Sequence, residues 1–548
     1  MIRDNLRFEI ARPDGRRRCL AAVALFAVLA SAGALRADNV PRVVTVAAAS
    51  PLLEIKIMVA SGSAADPKGK EGLSEMTAKM ILEGGCGDAS NPITKEKIAE
   101  ITRPWGEGAT PRVLADKEAT TFSVTVPESV LDTFIRTVLS PMFLRPLFLQ
   151  TELDRLRQEQ LVQVSSVIRY EEIEELGLAA IDHYVHDGTG YAHLPEGSVQ
   201  GLKAITRADL EALYRARYRP ENLTIGISSG KKEWADKITN ALKSLPSGEG
   251  TPRAAVDPPQ PVRGRHLVIV SVPNADSTGI HAAFPISVTR SDPDYWPLYV
   301  ANVYFGTHRD GFSHLYDEIR QKRGYNYGDY SYIEHFEGRP IFLFPPFNTP
   351  RRYQYFSIWV RPVAHRYTQH LLKAITYELE QFVSTGLTPE QVDLSKNKAK
   401  VLYLNLAETV GRILAARLDD QFYHQEPGYL DAYLQKIDAV TPEQVNAAIR
   451  KHLQVRNIKY LVVTDDSEAT RLADNVGADR PASGKKPAEY QLESTEKEGK
   501  KFFLVSEDWL DILRKDAAWE SYPLSIGREN IRIVPVEKLF ETGAFVAP

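Results

Sequence analysis

Arg320 and Tyr327 are the residues of this sequence whose types and spacing suggest chemistry on a carbonyl group. They lie in the segment DEIRQKRGYNYG, residues 317–328. A guanidinium and a phenol are both hydrogen-bond donors, so together they can hold a carbonyl oxygen or the oxyanion that it becomes. The same spacing also fits a structural role, in which Arg320 caps a helix and Tyr327 belongs to the core.

The pattern around this pair predicts a helix that ends and a strand that begins between the two residues. Apolar residues recur at helical spacing as far as Ile319, basic residues follow, and Gly324 suits a C-cap. A strand is expected from Tyr325, where aromatic residues take over. Arg320 would then extend from the helix and Tyr327 from the strand after it.

A longer run, GFSHLYDEIRQKRGYNYG over residues 311–328, resembles the second-half signature of the insulinase-like zinc proteases. This family includes pitrilysin and the mitochondrial processing peptidase. Its substrate-holding arginine and tyrosine fall on Arg320 and Tyr327. The resemblance therefore implies that these two side chains hold a substrate carbonyl at a zinc site.

The segment VASGSAADPKGKEGLSEMTAKMILEGG, residues 59–85, resembles the opening domain of the same family. There a helix carries H-x-x-E-H, in which two histidines bind Zn²⁺ and the glutamate is the general base. In this chain the first histidine position is Glu75, the general-base position is Ala78 and the second histidine position is Lys79. A lysine ammonium repels a metal, and alanine takes no proton from water.

The helix predicted over Leu153–Val164 resembles the one that carries the third zinc ligand of the family, a glutamate. That ligand falls on Gln163. Glu159 lies one turn away, which leaves open a second alignment with an unorthodox metal site made of Glu75 and Glu159. We favour the first alignment, and we expect this chain to bind no zinc itself.

Three histidines, His183, His186 and His193, fall within the run DHYVHDGTGYAH. His183 and His186 are three residues apart and could share a helical face as metal ligands. However, the run GYAHLPEGSVQGL, residues 190–202, resembles a family loop in which the histidine is not a ligand. We therefore favour a structural role for the three histidines.

An internal duplication indicates the fold. The segments at 205–230 and 440–466 both read as an N-cap, an amphipathic helix, and an asparagine that leads an apolar strand. Repeats of this kind predict two homologous halves. The mixed pattern predicts an α+β fold, each half a mostly antiparallel sheet with helices packed on one face. The resemblance implies that the halves close like a clam around an extended peptide.

We predict five segments from these patterns and from the positions of proline, glycine and charged residues. They are a signal peptide at 1–37, an N-terminal metallopeptidase-like domain at 38–243, a linker at 244–263, a C-terminal metallopeptidase-like domain at 264–467 and an extension at 468–548. No role for the extension is evident from its sequence.

The first 37 residues have the form of an export signal. Three arginines, residues 16–18, precede an uncharged run at 19–35, and the small residues Ala34 and Ala37 offer cleavage points. An uncleaved anchor is the alternative. The signal predicts a periplasmic or secreted protein. Only Cys86 then remains of the two cysteines, so an intrachain disulfide is excluded in the processed chain.

Composition excludes some classes of partner. The 548 residues, 43% of them hydrophobic, can bury two or more cores. The net charge of −4 shows no basic excess, so we expect no nucleic-acid partner. No firm membrane contact is predicted.

In some bacterial members of the resembling family, one subunit carries the zinc site and a second lacks it but keeps the arginine and tyrosine. This chain resembles the second kind. We therefore expect a non-catalytic, substrate-binding subunit of an exported heteromeric zinc protease, inactive alone, whose homologous partner binds Zn²⁺. The alternative is a non-enzymatic peptide-binding or scaffold protein of the same fold. A partner chain with an intact H-x-x-E-H motif would distinguish the two.

Overall fold

Two β-sheets, each with helices packed against it, form the body of the protein. The computed structural model describes residues 40–170, 172–247, 255–336 and 347–545, which fall within one compact unit over Asp38–Pro548. The predicted signal peptide and part of the predicted linker, residues 248–254, lie outside the described residues.

The strands are short and mostly antiparallel. In chain order they are β1 Arg42–Thr45, β2 Leu52–Val59, β3 Cys86–Asp88, β4 Asn91–Ile93, β5 Arg112–Ala115, β6 Thr120–Pro127, β7 Leu223–Ile227, β8 Arg265–Ser271, β9 Thr278–Ile286, β10 Asp329–Tyr332, β11 Gln354–Val363, β12 Ile458–Thr464, β13 Ser494–Lys497, β14 Lys500–Phe503 and β15 Ile531–Pro535.

The helices range from single turns to five turns. They are α1 Leu73–Glu83, α2 Lys95–Thr102, α3 Leu131–Phe134, α4 Ser140–Leu144, α5 Gln150–Val162, α6 Ile168–Tyr170, α7 Ile173–Val185, α8 Val199–Ala204, α9 Arg207–Arg217, α10 Lys232–Leu242, α11 Tyr295–Gly306, α12 Thr368–Thr385, α13 Pro389–Leu406, α14 Val410–Tyr423, α15 Tyr429–Ala439, α16 Pro442–His452, α17 Asp466–Gly477 and α18 Glu507–Ser521. Wider π-helical turns occur at Ile135–Leu139, Gln163–Val167 and Tyr316–Gln321.

Strand order confirms the predicted two-half α+β fold. The first sheet runs β1-β7-β2-β6-β5, and the second runs β8-β12-β9-β11-β10 with β15 added beside β8. In each sheet one parallel pair, β1 with β7 or β8 with β12, is followed by antiparallel pairs. Two halves with the same order and the same strand directions are the arrangement that a duplicated sequence predicts.

Local sequence explains why the repeated helix begins at the same place in each half. Thr206 and Thr441 are N-caps, and each accepts a hydrogen bond from the backbone of the third helical residue. The side chains of those residues, Asp209 and Gln444, in turn accept a hydrogen bond from the backbone N–H of the cap residue, which completes a capping box. The strands β7 and β12 follow these helices and lie in the interior of their sheets.

The halves interlock through one helix from each. Helix α7 of the first half lies on the second sheet, so closely that a Cβ at Gly177 would be 2.0 Å from Nε2 of His281. Helix α14 of the second half lies on the first sheet, where Leu418 packs against Met58 and would meet a Cβ at Gly226 at 2.9 Å. Both faces of each sheet are thereby covered, which buries β9 and β12 almost completely.

The C-terminal extension packs on the body. Strand β15 extends the second sheet, and the segment after it crosses to the first half, where Phe540 and Phe545 are buried. The stretch Ala482–Lys501 is rich in lysine, glutamate and serine, yet it contains a buried Tyr490 and strand β13, which pairs with β14. Strand pairing and packing on α18 therefore give this polar segment a defined structure.

Among the helices of the described ranges, none combines the length and the apolar character needed to cross a membrane. Cys86 is a buried free thiol, and burial raises its pKa to about 11.

Candidate functional site

Arg320 and Tyr327 lie together at the surface of the second half. Arg320 is part of the π-helical turn Tyr316–Gln321, and its Cζ lies 4.7 Å from the centre of the Tyr316 ring and 5.9 Å from that of Tyr327. These distances fit cation–π contacts with both rings. The Tyr327 side chain is 76% exposed, so its core alternative is wrong and its hydroxyl faces solvent.

The turn between the two residues is built by glycine and asparagine. Gly324 has a φ of +60° and its N–H donates to the carbonyl of Arg320 at 2.7 Å, which ends the helical turn as the sequence predicts. The strand, however, begins at Asp329 and not at Tyr325. Asn326 explains the difference, because its side chain accepts the N–H of Gly328 at 3.2 Å and takes the place of strand pairing.

Arg320 forms no ion pair in the described structure. Within the part of the chain that the structure describes, no acidic side chain lies within 4 Å of its guanidinium, whereas the neighbouring Lys322 and Arg323 are both ion-paired. Side-chain donors that are held by aromatic rings alone remain available to a ligand oxygen. This separates Arg320 from the other basic residues at the end of the same turn.

A buried carboxyl group, Asp329, adjoins the pair and was not singled out by sequence. Its Oδ1 accepts a hydrogen bond from Asn326 at 2.8 Å, and its Oδ2 has no partner among the described residues. Burial raises its pKa well above the usual range, although Asn326, Arg320 and Arg361 act in the opposite direction. Perturbed titratable groups of this kind accumulate at functional sites. Only tertiary packing reveals it, since its sequence context is an ordinary strand start.

The C-terminal extension supports the segment that carries the pair. Asp516 of α18 binds Nε of buried Arg323 at 2.5 Å, and Trp519 lies under the same guanidinium at 4.0 Å. Lys485 donates to the carbonyls of Arg323 and Gly324 at 2.7 and 3.0 Å. The extension therefore holds the turn between Arg320 and Tyr327 from behind, a role that the sequence did not indicate.

The positions of the zinc motif carry an internal ion pair. Lys79 Nζ lies 2.6 Å from Oε1 of Glu75 one turn away, and Ala78 between them is fully buried. Burial, and then the charge of Glu196, raises the pKa of Glu75 to about 7, while Lys79 acts in the opposite direction. Glu75 is thus paired within the protein, and an ammonium occupies the position at which the resemblance predicts the second histidine of the motif.

The third position, Gln163, begins the π-helical turn Gln163–Val167 and is half-buried. The fully buried glutamine of this helix is Gln160, whose amide donates to the carbonyl of Glu196 at 3.0 Å. Glu159 is bound to Arg155 at 2.8 Å on the exposed side, so it does not join Glu75. A π turn changes the helical phase, which is why residue spacing alone does not show which side chain faces inward.

The three histidines are buried in the core. His183 contacts the carbonyl of Gly543 at 3.2 Å, whereas His193 contacts that of Leu194 at 2.8 Å. Burial lowers the pKa of His183 and of His186 to about 3, so both are neutral. Over the described residues, no group of three histidine, cysteine, aspartate or glutamate side chains is arranged to hold a metal.

A buried ionic network joins the halves close to these histidines. Arg351 of the second half binds Asp182 at 3.2 Å and also binds Asp116, both from the first half. Lys117, which is 1% exposed, lies 3.3 Å from the other oxygen of Asp182. Although burial alone would raise the pKa of Asp182, Lys117 and Arg351 hold it well below the usual range. Removing one member of such a network leaves a buried charge unpaired.

The residues at the motif positions do not fit a zinc ion. Glu75 is committed to Lys79, alanine replaces the base, and Gln163 offers a neutral amide. Zinc prefers thiolate, imidazole and carboxylate ligands, and a neighbouring ammonium opposes its charge. The residues at the predicted motif positions therefore do not form a zinc site.

Comparison with known proteins gives a consistent result. Residues 204–399 match the family model described as peptidase M16 inactive domain. An uncharacterized zinc protease of Streptomyces coelicolor is 24% identical over 287 residues, which are 51% of this chain and 58% of that protein. One of Mycobacterium tuberculosis is 22% identical over 272 residues, which are 47% of this chain and 56% of that protein. The chain thus spans a little over half the length of these relatives.

Solved structures share the fold. The peptidase M16 inactive domain from Pseudomonas fluorescens superimposes with a TM-score of 0.67 at 22% identity, covering 78% of this chain and 96% of that one. A protease from Helicobacter pylori gives 0.65 at 13% identity, with 78% and 97% coverage. A chain of complex III2 from Candida albicans gives 0.58 at 13% identity, with 77% and 93% coverage. Residues 204–399 thus match a domain of the peptidase M16 inactive type, and the chain shares the fold of these solved structures, which is consistent with the insulinase-like family in a form without the zinc site.

Proposed function

We propose that this chain is the substrate-holding subunit of an exported heteromeric zinc protease and that Arg320 and Tyr327 hold the peptide carbonyl at the zinc site of a homologous partner. The observation that carries the proposal is the state of Arg320. Its guanidinium lies between the rings of Tyr316 and Tyr327 without an acidic partner in the described structure, next to a 76% exposed phenol.

The two donors suit an oxygen on which negative charge develops. A guanidinium presents several N–H donors and keeps its charge at all relevant pH values, and a phenol adds one O–H donor. The aromatic contacts restrict Arg320 before substrate arrives, so less side-chain entropy is lost on binding. Loss of one such donor typically lowers turnover about a hundred- to a thousand-fold.

The partner would supply the metal. Zinc polarises the scissile carbonyl and lowers the pKa of its bound water. In our proposal this chain contributes two acts: it binds an extended peptide, and it donates hydrogen bonds from Arg320 and Tyr327 to the carbonyl oxygen. The ion pair of Glu75 and Lys79 supports this division of work, because it leaves this chain without a zinc site of its own.

The predicted signal at residues 1–37 supports a periplasmic or secreted location. An extracytoplasmic protein without a disulfide depends on core burial and internal ion pairs for stability. The buried network around Asp182 meets that need.

A second candidate, a non-enzymatic peptide-binding or scaffold protein, is favoured by a different observation. The two halves are tied together by Arg351 and by the interlocking helices, and the fold is shared with a chain of complex III2. A scaffold needs such rigidity, whereas a substrate-holding subunit also needs the exposed pair. Arg320 and Tyr327 therefore decide between the two candidates.

The test is peptidase activity on an unstructured peptide with added Zn²⁺. The chain is assayed alone and with a candidate homologue that carries an intact H-x-x-E-H motif, as wild type, Arg320→Ala, Tyr327→Phe and the exposed control Arg514→Ala. We expect no activity from the chain alone and activity from the mixture. If Arg320 donates to the substrate carbonyl, Arg320→Ala should lower the activity of the mixture by about a hundred-fold or more.

Chelator-sensitive activity of this chain alone would overturn our interpretation of Glu75, Ala78 and Lys79. Full activity of Arg320→Ala in the mixture would overturn the donor role. Peptide binding without activity in any mixture would favour the scaffold candidate.

A further inference from the structure

A cavity of about 390 Å³ lies between the first sheet and helix α14 of the second half. It is separate from the pair formed by Arg320 and Tyr327. The sheet side includes Met58 of β2 and Leu114 of the edge strand β5, and Leu114 is 64% exposed, so the cavity reaches the surface at this edge. The helix side includes Leu418, Asp419 and Phe422.

Asp419 is the chemical feature of this cavity. Its carboxylate has no hydrogen-bond or ion-pair partner among the described residues, although its neighbour Asp420 accepts the N–H of Tyr429 at 2.9 Å. The strongest charges acting on Asp419 are one cation, Arg290, and three carboxylates, those of Asp420, Asp116 and Glu334.

The positive charge of Arg290 already interacts with another carboxylate, that of Glu334. Its guanidinium is buried and bound to Glu334 at 2.9 and 3.2 Å. Burial raises the pKa of Asp419 to about 7, and the charges of Asp420, Asp116 and Glu334 act in the same direction, against the effect of Arg290. A cation placed beside Asp419 would relieve both the burial of the carboxylate and the repulsion from its neighbours.

The apolar walls of the cavity favour one kind of cation. Met58, Leu418 and Phe422 are less than a tenth exposed and line the space with apolar atoms. A side chain with an alkyl stem and a charged end matches walls of this kind, because the stem is buried while the charge meets the carboxylate.

Two cations of this chain also line the cavity, but neither neutralises Asp419. Arg412 is held by the carbonyl of Asn405 at 2.6 Å and lies 3.8 Å from Glu408. Lys56 lies on the sheet side and is not among the groups with the largest effect on Asp419.

We propose that this cavity is a specificity pocket for a lysine or arginine side chain of a bound peptide, with Asp419 as the group that accepts hydrogen bonds from its cationic end. The proposal rests on the peptide-binding function proposed above. It adds a substrate preference, for a basic residue, that the pair of Arg320 and Tyr327 does not provide.

The first test is equilibrium binding by fluorescence anisotropy. The probes are fluorescein-labelled, twelve-residue Gly/Ser/Ala peptides with one central lysine, arginine or norleucine. We expect the basic peptides to bind wild type about tenfold more tightly than the norleucine peptide, and Asp419→Asn to remove that advantage. Asp438→Asn, which changes an exposed carboxylate on α15, is the matched control and should keep it. Equal binding of all three peptides would overturn the pocket and leave the peptide-binding function standing.

A second test addresses the pocket without a peptide. Ligand-observed NMR compares N-acetyl-lysine methylamide with its norleucine analogue. Saturation transfer to the lysine compound in wild type, lost in Asp419→Asn and kept in Asp438→Asn, is the expected result and would stand even if the long peptides fail to bind. Absence of transfer in wild type, or unchanged transfer in Asp419→Asn, would overturn the proposal.

Discussion

The position of the zinc motif in the first half and the Arg320/Tyr327 pair in the second half have opposite environments. Glu75 and Lys79 bind each other at 2.6 Å within the protein, and Ala78 between them is fully buried. Arg320 contacts aromatic rings, has no acidic partner in the described structure and lies beside the exposed phenol of Tyr327. The first position has its interactions satisfied internally, whereas the second keeps its donors available.

This difference predicts that Glu75 and Lys79 contribute to stability, whereas Arg320 and Tyr327 contribute little to it and are available for the ligand binding that we propose. A charge with a buried internal partner is destabilising to remove, because the partner is left unpaired. An exposed side chain without such a partner costs little stability when it is truncated. Substitutions at the internally paired positions should therefore lower stability, whereas substitutions of Arg320 and Tyr327 should lower activity and leave stability nearly unchanged.

The largest effect on stability is expected at the buried ionic network of Arg351, which joins the two halves. Arg351→Met leaves Asp116 without its cation and should lower the free energy of unfolding by about 3–5 kcal/mol. Urea denaturation followed by circular dichroism measures this loss, with the exposed Arg514→Met as control. A loss below about 1 kcal/mol would mean that the interlocking helices alone hold the halves together.

The support behind the pair should rank next. Asp516→Asn weakens the contact with Nε of Arg323 and should lower the free energy of unfolding by about 3 kcal/mol. Asp511→Asn on the same helix removes an exposed carboxylate and should change it by less than about 0.5 kcal/mol. Equal values for the two variants would show that α18 does not brace the turn that carries Arg320 and Tyr327.

A smaller, pH-dependent effect is expected at the zinc-motif position. Because folding raises the pKa of Glu75 from 4.5 to about 7, the stabilising contribution of this group is complete below pH 4.5 and is lost as pH rises through 7. Lys79→Met should therefore cost about 1 kcal/mol at pH 8, where Glu75 is charged, and little at pH 5. The double variant Glu75→Gln/Lys79→Met should remove the penalty at pH 8. A pH-independent cost would contradict the ion-pair explanation.

The smallest effect on stability is expected at Arg320. Arg320→Ala should change the free energy of unfolding by less than about 0.5 kcal/mol, because the side chain has no ion pair to lose among the described residues. The same variant should have the largest effect on turnover with a zinc-bearing partner. Thermal denaturation of the purified chain provides the measurement, and a loss above about 2 kcal/mol would assign Arg320 to structure.

Much of the fold follows from local sequence. The repeated capping residues Thr206 and Thr441 begin equivalent helices, and the apolar strands after them lie in the interior of the sheets. Capping and periodicity act over a few residues, so they can be read without the partner segments. The beginning of β10 was predicted four residues too early, because the hydrogen bonds of Asn326 keep the chain out of the sheet until Asp329.

The site was predictable only in part. The signature segment predicts that Arg320 and Tyr327 act together, and the structure places them in contact. It does not indicate Asp329 or Asp419, whose pKa values are raised by burial that arises from distant segments. The support from Asp516 also lies far beyond the reach of local patterns.

The sequence by itself determined the duplicated order of strands and helices, the residue types Glu75, Ala78 and Lys79 at the positions predicted for the zinc motif, and the local turn that separates Arg320 from Tyr327. These features depend on residue type and on spacing within a few turns. The tertiary structure decided that α7 and α14 cross between the halves, that the extension braces the turn, and that Asp419 faces a cavity without a partner. Burial and electrostatic pairing depend on which distant segments come into contact, and local sequence patterns do not show those contacts.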